Sequence, residues 1–141
     1  MTIPQVSIFV SNRPGRLNAV CRSLADAGIN LLSLTLADSG EFGLVRIIVN
    51  DAPKAVDVLE KSGLSATITE VIACPVADRV GGLADFLSVV DDLQIDYMYA
   101  YPSECKASTN VMILRFHDTE KALATLKEKN FKTLSTAEML G

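Results

Sequence analysis

Two stretches of this 141-residue chain follow one pattern. Residues 12–36 read NRPGRLNAVCRSLADAGINLLSLTL, and from Asp78 the chain reads DRVGGLADFLSVVDDLQIDYMYA. Placing Gly15 over Gly81 sets Asn12-Arg13 over Asp78-Arg79, Leu17 over Leu83, and Ile29-Asn30 over Ile95-Asp96. Beyond a hairpin one residue longer in the second copy, Asp51 meets Asp118, Lys54-Ala55 meets Lys121-Ala122, Leu59 meets Leu126 and Gly63 meets Asn130. Two copies do not make a solenoid; they make a duplicated domain of about 70 residues. The expected domains are residues 1–70 and 71–141.

Each copy resolves into elements by its periodicity. Val6, Ile8 and Val10 alternate with Gln5, Ser7 and Phe9, as in a half-buried strand. Leu17, Val20, Cys21 and Leu24 form an amphipathic helical stripe, and Gly28 suits its left-handed C-terminal cap. Leu32, Leu34 and Leu36 make a second strand turning at Ser39-Gly40, and Val45, Ile47 and Val49 a third. Asp51-Ala-Pro53 starts a second helix, with proline tolerated in its first turn. Gly63 closes that helix and LSATITE forms a fourth strand. The second copy repeats this with VIACPVA, a helix carrying Leu83, Phe86, Leu87 and Val90, then IDYMYAY, NVMILRF and a helix carrying Ala122 and Leu126. The predicted order is βαββαβ, twice. Split β-α-β units of this kind give an antiparallel sheet with both helices on one face, an α+β ferredoxin-like arrangement.

Composition narrows the function classes. The net charge is −4 and no basic run exists, which disfavours extended nucleic acid as a partner. No apolar segment approaches the ~20 residues that cross a bilayer, and MTIPQVSIFV lacks the basic start of a signal peptide. The three cysteines, Cys21, Cys74 and Cys105, are odd in number and without CxxC spacing. That pattern fits a reducing, cytoplasmic setting and neither a disulfide framework nor a zinc site.

The NRPG-x-L turn, the following helix, AGINLLSL and the hairpin into FGLVRIIVND resemble the ACT domain, and the whole chain is similar to stand-alone tandem-ACT proteins. The resemblance implies two ACT units side by side and a regulatory, non-catalytic module. It further implies a small effector, an amino acid, held where two units meet, and no cofactor. Val80 departs from the family, which often has proline there.

The turns carry the candidate chemistry. Gly15, Arg16 and Leu17 begin a helix, where backbone N–H groups lack intrahelical partners and the dipole is positive, a ready place for a carboxylate. Gly15 lets a ligand approach the backbone, and Pro14 stiffens the entry without removing a needed donor. Arg13 and Arg16 are mildly unfavourable at a positive helix end until an anion arrives. The bland alternative is an Asn12 N-cap, a Pro-Gly turn and two solvated arginines. In the family the loop asparagine and a strand-start residue of the neighbouring unit contact the ligand. The resemblance thus implies one site joining Asn12, Arg13, Pro14, Gly15, Arg16 and Leu17 to Asp96-Tyr97. The other joins Asp78, Gly81, Gly82 and Leu83 to Asn30-Leu31. A histidine sometimes found two residues before the loop asparagine is Val10 here. Asp78, as an N-cap, would repel a carboxylate, so one strong site per chain is expected.

Other features lead away from catalysis. His117 is the only histidine and no catalytic or metal partners are placed near it. Cys21 reads as a small buried hydrophobe and Cys105 as a thiol in a polar hairpin with no activating basic cluster. No P-loop, GxSxG or HExxH occurs. Tyr97, Tyr99 and Tyr101 alternate and face away from the helices, either as an interface that predicts a homodimer or as cover for a sheet edge. The expected function is sensing of a small carboxylate, with a biosynthetic enzyme as a partner. The competing expectation is a scaffolding subunit of an amino-acid-metabolism enzyme that has lost its ligand.

Overall fold

The structure is a computed structural model and describes residues 1–102 and 109–140. Its elements run β1 (Ile3–Ser11), α1 (Arg16–Asp26), β2 (Leu31–Ser39), β3 (Phe42–Val49), α2 (Ala52–Lys61), β4 (Ser65–Ala77), α3 (Gly82–Val89), β5 (Ile95–Tyr101), β6 (Thr109–Phe116), α4 (Thr119–Glu128) and α5 (Thr136–Leu140). Two βαββαβ-like units result. Pro4–Thr69 form the first, and Met1–Ile3 with Glu70–Gly141 form the second. The two strands expected as LSATITE and VIACPVA are one thirteen-residue strand, β4, because no turn residue separates them.

In the first unit β3 pairs antiparallel with both β1 and β2. Val6, Ile8, Val10, Val45 and Ile47 meet Val20 and Leu24 of α1 and Ala55 and Leu59 of α2 in one buried core. Gly28, at φ 74, ends α1 as its sequence position suggests, with Ile29 N–H reaching back to Leu24 O at 2.9 Å. Asp51 caps α2, accepting from Lys54 N–H at 3.2 Å.

Two expectations of alternation fail here. Leu34 and Leu36 are 39% and 51% exposed, because β2 is an edge strand and only Leu31 on it packs against the core. Gln5 is fully buried, and its carboxamide donates to Ser7 Oγ at 3.1 Å.

In the second unit β6 pairs antiparallel with β4 and β5. Ile72, Cys74, Val76, Leu114 and Phe116 pack against Phe86 of α3 and Ala122 and Leu126 of α4. Val90, expected within α3, is its buried C-cap. Asp118 caps α4 as Asp51 caps α2, accepting from Lys121 N–H at 3.0 Å. Asn130 takes φ 60 where Gly63 takes φ 84, the substitution the repeat implied. The segment after α4 forms no regular strand; Leu134 N–H bonds Ala73 O at 2.8 Å, and α5 comes next.

Candidate functional site

The Asn12–Leu17 turn closes β1 onto α1. Gly15, at φ 84, occupies the N-cap position and supplies no side-chain cap. Asn12 is therefore not the cap that its residue type suggests. Its backbone N–H donates to Glu41 O at 2.8 Å and its carboxamide to Gly40 O at 3.3 Å, which ties the turn to the β2–β3 hairpin. Arg16 N–H reaches Arg13 O at 3.3 Å and Ala19 N–H reaches Gly15 O at 3.0 Å. Between them, the N–H groups of Leu17 and Asn18 have no hydrogen bond among the described residues. The first turn of α1 holds no acidic residue, and Arg13 and Arg16 are exposed without an ion pair among the described residues. Free donors, a positive helix end and two cations suit an anion.

The second turn has the same backbone and the opposite electrostatics. Gly81, at φ 82, is the N-cap of α3, again with no side-chain cap. Asp78 therefore does not cap this helix, contrary to expectation: with glycine in the cap position, the acid lies too early in the turn. Instead Asp85 stands in the first turn of α3 and forms an ion pair with Arg79, whose Nη1 also donates to Val80 O at 3.3 Å. The repeat counterpart of Asp85 is Ala19. Gly82, counterpart of Arg16, is buried, and a Cβ there would stand 2.0 Å from Ala77 O. Leu83 is exposed where Leu17 is half-buried.

The strand starts shift the sequence alignment. Leu31 pairs with Val49, and a bulge before Ser33 sets Ser33 opposite Ile48. In the second unit Ile95 pairs with Phe116, and a bulge before Tyr97 sets Tyr97 opposite Arg115. The matching bulges equate Leu31 with Ile95, so Asn30 corresponds to Gln94 and not to Asp96. Backbone bonds agree: Asn50 N–H donates to Asn30 O at 3.3 Å, and His117 N–H donates to Gln94 O at 2.9 Å. The path from the capping glycine to the strand start is two residues shorter in the second unit, because α3 has 8 residues against 11 in α1 while the connection that follows it is slightly longer, which the Ile-Asn and Ile-Asp pairs conceal. Asp96 accepts from Gln94 Nε2 at 3.2 Å and lies 3.7 Å from His117 Nδ1.

Neither unit brings its own turn and strand start together. Ser11, before the first turn, pairs with Phe42 at the start of β3, whereas Leu31 pairs with Val49 at its end. Ala77 and Ile95 are likewise at opposite ends of β6, beside Thr109 and Phe116.

Cys74 and Tyr101 are buried. Burial pushes the Cys74 thiol up to about 12, while Cys21 is only partly buried and Cys105 lies outside the described residues. Tyr101 is buried and its hydroxyl donates to Met139 O at 3.4 Å, which removes it from an open tyrosine stripe. Periodicity alone does not reveal α5, although Ser135-x-x-Glu138 is a capping box: Ser135 N–H bonds the Glu138 carboxylate at 2.8 Å and Glu138 N–H bonds Ser135 Oγ at 3.2 Å. The Ser135 N–H, and then Lys132, hold the Glu138 carboxyl below its ordinary range. Among the described residues no group of His, Cys, Asp and Glu could hold a metal ion, and no helix is long and apolar enough to cross a membrane.

Among curated protein sequences nothing matches the chain. A solved structure of a Bacteroides thetaiotaomicron protein is 31% identical over 99% of this chain and 96% of its own, with a TM-score of 0.90. The ligand-free regulatory subunit of aspartate kinase from Thermus thermophilus shares 18% identity over 89% of this chain and 90% of its own, with a TM-score of 0.61. The corresponding subunit from Thermus flavus shares 16% over 88% of each chain, with a TM-score of 0.63. These last two show likeness of fold. The ACT domain pair family matches residues 1–140, and with duplicated βαββαβ-like units and a glycine-capped turn in each, the chain belongs to that family.

Proposed function

We propose that the chain is a non-catalytic regulatory module that binds a small carboxylate effector, an amino acid, with the Asn12–Leu17 turn receiving the carboxylate. The observation that carries this reading is the pair of unbonded N–H groups at Leu17 and Asn18, set at the positive end of α1 beside two arginines without an ion pair among the described residues. A carboxylate there accepts charge-assisted hydrogen bonds that the bare helix end lacks. Gly15 leaves the approach open, with nothing within 4 Å of where a Cβ would stand.

Strand-start residues of a neighbouring ACT unit complete the proposed contact set. Asn30-Leu31 and Asp96-Tyr97 are the candidates from the motif, with Gln94 added by the register. The second turn, Asp78, Gly81, Gly82 and Leu83, is the weaker receptor, because Asp85 already supplies a carboxylate to Arg79. That same ion pair favours a second reading, a scaffolding subunit of an amino-acid-metabolism enzyme that works without ligand. The Thermus regulatory subunits support a biosynthetic-enzyme partner by analogy of fold. A cytoplasmic homodimer completes the proposal.

The test is a thermal-shift screen of the full chain against the proteinogenic amino acids and related 2-oxo acids, beside an Arg13→Ala/Arg16→Ala variant. A ligand at 100 times its Kd adds about 2.7 kcal/mol to stability. A hit lost in the variant supports the sensor; no shift from any compound moves the reading to the scaffold.

A further inference from the structure

The second unit carries a cavity of about 560 Å³ beside the C-terminal end of α4, and no residue of either turn lines it. That volume lies within the ~300–1,000 Å³ range of small-ligand pockets. Leu123 and Phe131 form an apolar wall, both packed against the second core, and Phe131 is held edge-on against Phe86 with ring centroids 5.7 Å apart.

The rim is polar and basic. Lys127, in the last turn of α4, is exposed and has no ion pair among the described residues. Asn130 stands nearby at φ 60, and Lys132 pairs with Glu138 at 3.1 Å. No acid lines the cavity among the described residues, and the Ser135 N–H also engages the Glu138 carboxylate that pairs with Lys132.

The repeat supplies an internal comparison. The apolar wall is kept in the first copy, where Val56 and Leu64 stand for Leu123 and Phe131. The rim is not: Glu60 stands for Lys127, Gly63 for Asn130 and Ser65 for Lys132. In a chain of net charge −4, the second copy has two cations and an amide donor where the first has an acid and two small residues.

We propose that this cavity binds a small carboxylate with an apolar tail, the tail lying on Leu123 and Phe131 and the carboxylate accepting from the Lys127 ammonium and the Asn130 carboxamide. The test is a titration of the ¹⁵N-labelled full chain with hexanoate, monitored by amide chemical shifts, with hexylamine as the cationic control. Saturable shifts are expected at Leu123, Lys127, Asn130 and Phe131 with hexanoate and not with hexylamine. Lys127→Glu, an exposed change whose own spectrum reports folding, weakens binding about tenfold. The Arg13→Ala/Arg16→Ala variant leaves it unchanged, which separates this site from the turn. Absence of saturable shifts, equal shifts with hexylamine, or unchanged affinity in Lys127→Glu overturns the proposal.

Discussion

Replacing Gly82 by alanine tests the packing of the second turn directly. Its backbone φ is not left-handed, so conformation alone does not demand glycine; space does. A Cβ at this position would stand 2.0 Å from Ala77 O and 3.0 Å from Ala77 C, and both atoms belong to backbone at the end of β4. Relieving the contact requires α3 or the strand end to move by roughly an ångström, since neither atom is a flexible side-chain tip. Overpacking of this kind costs typically 1–3 kcal/mol, and the backbone partner puts Gly82→Ala at about 3 kcal/mol. For a chain of this size that lowers Tm by about 10 °C. Gly15→Ala is the comparison. No atom lies within 4 Å of its Cβ, and only φ 84 penalises it, by about 1 kcal/mol or about 4 °C. The assay is thermal and urea unfolding of both variants, with the urea slope compared to confirm an unchanged native fold. A Gly82→Ala melt within a few degrees of wild type, or a Gly15→Ala variant that is the less stable of the two, refutes the reasoning.

Single contacts set the other expectations. Asp118→Ala and Asp51→Ala each remove a helix cap and lower stability by about 1 kcal/mol in chemical denaturation, while Asp78→Ala, which removes none, leaves it within about 0.5 kcal/mol. Leu59→Ala and Leu126→Ala, both fully buried, each cost about 2–5 kcal/mol by the same measurement. Cys74 is neutral when folded up to about 12 against an ordinary value of 9.0, so unfolding releases a proton between those limits. Stability is full below pH 9 and falls as pH rises through this window, with a slope approaching about 1.4 kcal/mol per pH unit that Cys74→Ala abolishes. Asp85→Asn releases Arg79, and calorimetry with a ligand of the first turn then shows a rise in binding stoichiometry.

Much of the fold was legible because the cues were local. The Asp51 and Asp118 caps, the Gly28 terminator and the Gly63-to-Asn130 exchange depend on one residue type in one backbone conformation, and the repeat reinforced them. Register was not legible in that way. Ile29-Asn30 and Ile95-Asp96 look alike, but the two residues missing before β5 can be located only through hydrogen bonds to β6. Burial on the far face of a sheet was hidden as well: Gln5 and Tyr101 are covered by contacts that no alternation pattern encodes. At the candidate site, residue type named the turns, but which arginine was already paired depended on Asp85, six residues further along the chain.

The membership of Met1–Ile3 in the second unit bears on the order of synthesis. A ribosome adds about 5–20 residues each second. Met1–Ile3 are made before Glu70 and the later strands and helices of that unit, and must wait for them to emerge. Thr2 then bonds the Glu70 carboxylate at 2.8 Å across 68 positions of chain. During that interval Ile3, almost fully buried at the end, is an apolar side chain awaiting its cover on the nascent chain, and residues made ahead of the first unit complete their burial only with the second.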